Sequence, residues 1–103
     1  MYARTVTMRL KAGVAADFTH AIENVTLPLL RHQPGFQHEV VLVTPDGRNV
    51  LALSLWDTKE DAVSYARVGF AKAIEGVQHW LEGHPKVTEY EVTNSTILAH
   101  TAV

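Results

Sequence analysis

The sequence predicts an α+β fold of the ferredoxin-like type, βαββαβ, with a four-stranded antiparallel sheet and a split second helix. Three observations carry this. Hydrophobic spacing switches between strand-like and helix-like periods in the order strand, helix, strand, strand, helix, strand. Thr44-Pro45-Asp46-Gly47 separates the two middle strands as a tight turn. No cysteine is present, so the core forms without disulfides or Cys-ligated metal.

The elements follow in order. Tyr2 to Leu10 is a strand, with Val6, Met8 and Leu10 on one parity. Lys11-Ala12-Gly13 turns. From Val14 to His32 the spacing is helical: Phe18, Ile22, Val25 and Leu29 share one face. Pro28 lies inside that run. It lacks a backbone donor, so it kinks the helix or starts its last turn afresh. Gln33-Pro34-Gly35 ends the helix. Phe36 to Val43 and Asn49 to Trp56 are the strands of a hairpin. Asp57 reads as an N-cap with Glu60 as its capping-box partner, opening a helix over about Thr58–Val68. Gly69 breaks it. Phe70, Ile74, Val77 and Leu81 continue a helical face, which Glu82-Gly83-His84-Pro85 closes. Val87 to Leu98 is the last strand.

Length and charge narrow the function. A chain of 103 residues is one domain, residues 1–103, since two cores will not fit. Net charge is −2 and the basic residues are scattered singly, so a nucleic-acid partner has no electrostatic footprint. Apolar stretches fall far short of a membrane span, and Met1 to Gly13 holds no signal-like apolar run. The expectation is a soluble, cytoplasmic protein with neither nucleic acid nor membrane as partner.

Two readings concern the sheet. Val40 to Val43 and Val50 to Leu53 are apolar on both parities. Helices cover one face, so the other needs cover too, and a second copy of the chain is the cheapest. A homodimer through the sheet is expected. The hairpin register follows if Pro45-Asp46-Gly47 is a three-residue loop: Thr44 then opposes Arg48. His38 would face Ser54, Phe36 would face Trp56, and Val40 would face Ala52. Phe36, His38, Ala52, Ser54 and Trp56 would share the helix-side face, where the small Ala52 and Ser54 leave room for a pocket. A one-residue slip on one strand moves His38 away from Trp56.

Three features carry a resemblance. They are the run Leu27-Pro28-Leu29-Leu30-Arg31-His32-Gln33-Pro34-Gly35-Phe36, the run Leu53-Ser54-Leu55-Trp56-Asp57, and the element order. On these the chain resembles the antibiotic biosynthesis monooxygenase-like family of the dimeric α+β barrel superfamily, over nearly its whole length. The resemblance implies two sheets closing a barrel, with a pocket between each sheet and its own helices. It also implies a cofactor-independent monooxygenase acting on a small aromatic or quinol-like molecule, with no cofactor. In that reading Trp56 stacks on the substrate, and Phe36, Ala52 and Ser54 line its pocket. His38 is the general base, and Tyr65 orients the substrate oxygen. The family's cofactor-free oxygenases carry Asn where Ala52 stands and Arg where Gly76 stands. The haem-degrading branch carries His where Ala66 stands. These departures keep a second reading open: a non-catalytic dimer that binds a small molecule or is structural. Trp56 can likewise be a core residue, and His38 a satisfied histidine.

The remaining polar residues form no further site. His79 and His84 are five apart, neither helical metal spacing, so no metal is expected. Arg67, with Arg4 as the alternative, is the arginine candidate for a pocket mouth.

Overall fold

A computed structural model describes residues 1–97. The strands are β1 (Tyr2–Leu10), β2 (Phe36–Val43), β3 (Asn49–Trp56) and β4 (Leu81–Glu91). They form one antiparallel sheet in the order β2-β3-β1-β4. The helices α1 (Ala15–Ala21), α2 (Leu27–Arg31), α3 (Lys59–Val68) and α4 (Phe70–Glu75) complete the ferredoxin-like βαββαβ order, with the second helical region split at Gly69.

The first helical region is continuous through a π-helical turn, Ile22–Thr26, between α1 and α2. Leu27 N–H reaches back five residues to the Ile22 carbonyl. Pro28 follows at once, at the start of α2. A proline ring collides with the carbonyl four residues earlier, and the wider π turn relieves that collision. The extra residue in the turn also corrects the expected face. Phe18, Ile22, Thr26 and Leu30 are buried, whereas Val25 is 54% exposed. A wider turn converts a 4-3-4 spacing into equal steps of four.

Element boundaries also move. The N-cap of α3 is Thr58, whose Oγ1 accepts from Asp61 N–H at 3.1 Å. Asp57 instead accepts from the Gln37 amide at 2.6 Å. The last strand starts at Leu81, so Glu82 to Pro85 belongs to β4 rather than to a closing loop. There β4 carries extra residues opposite β1: Thr7 pairs with Lys86 and Arg9 with Glu82. The strand also ends at Glu91, well short of the expected Leu98, which itself lies outside the described residues.

The hairpin register is the main correction. Thr44 N–H donates to the Asn49 carbonyl at 2.9 Å, so four residues, Pro45 to Arg48, form the loop. Asp46 organises it, accepting from Thr44 Oγ1 at 2.6 Å and from Arg48 N–H at 3.0 Å. Gly47 closes it with φ +73°, a conformation costly for other residues. At the far end, Asp57 N–H donates to the Gly35 carbonyl at 2.8 Å, and Phe36 faces Trp56. The two ends demand registers one residue apart. The difference is taken up as a bulge on β2 between Phe36 and His38. His38 therefore opposes Leu55, not Ser54, and Val40 opposes Leu53, not Ala52. Glu39 stands opposite Ser54.

Two apolar clusters lie between sheet and helices. One is aliphatic around Phe18, with Val6, Met8, Leu10, Ile22, Val50, Val77 and Leu81. The other is aromatic, built on Tyr2, Trp56 and Tyr65 with Leu30 and Ala62. On the opposite sheet face Val40 and Leu42 are 41% and 54% exposed, whereas Ala3, Thr5 and Leu55 are buried.

Candidate functional site

The β1, β3 and β2 registers put four polar residues in one row across the helix-covered face. Glu39 opposes Ser54, Ser54 opposes Arg4, and Arg4 opposes Glu89. The next rows are mainly apolar: Val41, Ala52, Val6 and Val87 on one side, and on the other Phe36, Trp56 and Tyr2, with Glu91 at the β4 end. A polar row enclosed by apolar ones has few partners except its own members and whatever enters beside it.

Arg4 is buried, at 3% exposure. Its Nη1 donates to Glu89 Oε2 at 3.1 Å, and its Cζ lies 4.8 Å from the Phe70 ring centroid. Tyr2 OH also donates to Glu89, at 3.0 Å, which fixes that carboxylate. The charge is thus paired on one side and faces aromatic rings on the other. Ser54 Oγ accepts from the Trp56 indole N–H at 2.9 Å. Trp56 is fully buried and stacks on Tyr65, with centroids 5.0 Å apart. Phe36 packs edge-on against Trp56 at 5.5 Å.

A cavity of about 50 Å³ lies over this row, between the sheet and the helices. Arg4, Glu39, Ala52, Ser54, Tyr65 and Phe70 line it, along with aliphatic side chains and Thr26. Of the residues singled out from sequence, Tyr65, Ala52 and Ser54 therefore meet at one cavity. Phe36 and Trp56 stand behind Tyr65 and are absent from its lining. His38 is exposed and borders a surface groove with Leu27, Arg31, Phe36, Gln37 and Glu39. Arg67 is exposed on α3, in a surface groove with Lys59 and Glu60.

Electrostatics separate the two acids of the cavity. Burial pushes the Glu39 carboxyl up to about 8. No hydrogen bond or ion pair from another described residue offsets that burial. Burial, then the nearby Glu39 charge, push Tyr65 up to about 12, against the opposing pull of Arg4. Tyr65 therefore stays a hydroxyl donor near neutral pH, while Glu39 titrates within reach of it. Among the described residues no group of three or more His, Cys, Asp or Glu is placed to hold a metal. No described helix is long and apolar enough to cross a membrane.

Sequence reasoning missed Glu39 and gave Arg4 second place. The signal for Glu39 was weak: β2 offers His38 and Glu39 on opposite parities between residues apolar on both.

Residues 1–68 match the family model for antibiotic biosynthesis monooxygenases. The chain belongs to that family. Solved structures agree on the fold of this antibiotic biosynthesis monooxygenase family member. A monooxygenase from the gene ActVA-Orf6 of Streptomyces coelicolor, in complex with Nanaomycin D, is 17% identical with a TM-score of 0.77. The match covers 91% of this chain and 88% of that one. SnoaB, a cofactor-independent oxygenase from Streptomyces nogalater, is 15% identical with a TM-score of 0.74, covering 92% and 95%. A protein of unknown function from Nitrosomonas europaea is 14% identical with a TM-score of 0.77, covering 92% and 91%. No curated protein matches the chain. Identities this low support the shared fold, not a shared substrate.

Proposed function

We propose that this protein is a cofactor-independent monooxygenase of the cytoplasm, acting on a small phenolic or quinol-like aromatic molecule. The observation that carries this reading is the row of Glu39, Ser54 and Arg4 beneath a cavity otherwise walled by apolar and aromatic side chains. Such a cavity takes a flat apolar ring and presents polar groups only to the oxygen-bearing edge.

The chemistry needs an electron-rich carbanion. The ring CH₂ of such a molecule's keto form loses a proton, and the resulting anion passes an electron to O₂. The carbon and oxygen then join as a peroxide. Loss of the second proton with cleavage of the O–O bond leaves a C=O group and releases one water. Arg4, itself buried, holds the negative charge that develops on the ring oxygen. Tyr65 donates a hydrogen bond to the same oxygen. Trp56 and Phe36 keep the Tyr65 ring in place by packing.

A benzene-sized cavity is about 150 Å³, so the cavity of about 50 Å³ opens on binding. Ile22 and Thr26 line it from the π-helical turn, an irregularity frequent at functional sites. Two copies pair through the sheet face on which β2 exposes Val40 and Leu42, covering both. Light scattering should give twice the chain mass, and Leu42→Asp should halve it.

The test of function is oxygen uptake by purified protein with no added metal or cofactor, against quinols, anthrones and catechols. Saturable uptake with one ketone formed per O₂ is expected. Tyr65→Phe should lower kcat about tenfold through loss of one donated hydrogen bond. Binding of these compounds with no uptake from folded protein would replace this reading with a small-molecule-binding one.

A further inference from the structure

We propose that Glu39 is the group that takes the substrate's proton, with Arg4 holding the anion so formed. This rests on the monooxygenase reading and deepens it. The geometry comes from the sheet. Glu39 on β2 and Arg4 on β1 flank Ser54 in one row, two strand spacings apart, which is roughly 10 Å between backbones. No ion pair joins the two among the described residues. The same cavity touches both. A ring lying across Ser54 therefore brings one edge to a carboxyl and the other to a guanidinium. A carbon acid whose CH₂ and carbonyl oxygen lie at opposite ends of a ring fits this spacing.

Atoms balance along the sequence. The Glu39 carboxylate takes one C–H proton, and the electron pair spreads to the ring oxygen beside Arg4. One-electron transfer to O₂ and recombination form a C–O bond. The peroxide anion takes the proton back from Glu39. Glu39 then removes the second C–H proton as the O–O bond breaks. The departing hydroxide takes that proton and leaves as water.

The surroundings favour a strong base. Burial raises the proton affinity of Glu39, as described above. The other charged or titratable groups facing the cavity and its outer groove are Arg4 from β1, Tyr65 from α3, Arg31 from α2, and His38 from β2 itself. Of these, Tyr65 holds its proton to about 12. A base matched closely to its carbon acid transfers protons more efficiently than an ordinary carboxylate.

The experiment is anaerobic exchange of the CH₂ hydrogens of anthrone for deuterium in D₂O, followed by NMR, from pH 6 to 10. Wild-type protein should accelerate exchange, with a rate rising through about pH 8. Glu39→Gln should lower the accelerated rate about 100-fold or more and remove that rise. Glu39→Asp should recover part of the rate and keep a pH rise. Circular dichroism checks that each variant is folded. Exchange that is absent in wild type, or unchanged in folded Glu39→Gln, overturns the assignment. Oxygen uptake is read separately on the same samples. Glu39-dependent exchange without uptake leaves Glu39 as the base and overturns the monooxygenase reading. Uptake that survives Glu39→Gln does the reverse.

Discussion

The two halves of the layer between helices and sheet are built differently. One half is aliphatic and closes around Phe18 and Leu10, both fully buried. The other is aromatic, with Trp56, Tyr65 and Phe36 held by ring geometry. Branched aliphatic side chains interdigitate and leave little space. Flat rings, a buried arginine and the small Ala52 and Ser54 do not, and the cavity lies where the halves meet. Open space thus arises where two packing styles join, and the polar row crosses that join.

Substitutions can break either half. Trp56→Ala should be the most damaging, costing about 3–5 kcal/mol by denaturant unfolding. It removes the platform under Tyr65 and also strips Ser54 of its indole donor. Leu10→Ala, in the aliphatic half, should cost about 2–5 kcal/mol. It should leave the cavity chemistry intact once the protein is folded. The two variants should therefore differ more in residual turnover than in stability.

Filling the join sharpens the comparison. Ala52→Leu adds a side chain to the cavity wall. Calorimetry should show ligand binding lost, with stability changed by about 1–3 kcal/mol from overpacking.

Glu39 makes stability depend on pH. Its proton is held to about 8 in the folded chain, against an ordinary 4.5. Between those values the folded state binds the proton and the unfolded state does not. Its contribution is fully present below the ordinary value and is lost as pH rises through about 8. Urea midpoints should fall across that window in wild type and fall less in Glu39→Gln. Each pKa unit corresponds to about 1.4 kcal/mol before solvent screening reduces it. The smallest effect belongs to His38→Ala. The side chain is exposed, so stability should change by less than about 0.5 kcal/mol and oxygen uptake should be unchanged.

Much of the site was legible on β3 and little of it on β2. Ala52 and Ser54, the two β3 residues that line the cavity, share a parity, and any register of that strand keeps them together. Tyr65 follows from helix periodicity after a strand end. The β2 residues depended on where the hairpin loop ended and on whether a bulge intervened. Both parities of Val40 to Val43 are apolar, so hydrophobic pattern could not choose between His38 and Glu39. Gly35 shows the same limit. Its φ of +77° and the Asp61 carboxyl, which a side chain there would overlap, are properties of the folded chain.

The sequence by itself determined the element order, the split at Gly69, the turn at Gly47 and the disturbance at Pro28. Each is local: backbone freedom, a missing donor, or hydrophobic spacing within one segment. Only the tertiary structure decided that the wider turn before Pro28 buries Thr26 in place of Val25, and that a bulge turns Glu39 inward and His38 outward. The bulge exists because two distant anchors, the Thr44–Asn49 bond and the Gly35–Asp57 bond, set registers one residue apart on the same pair of strands. Side chains alternate with a period of two, so that single residue decides which acid or base faces the cavity.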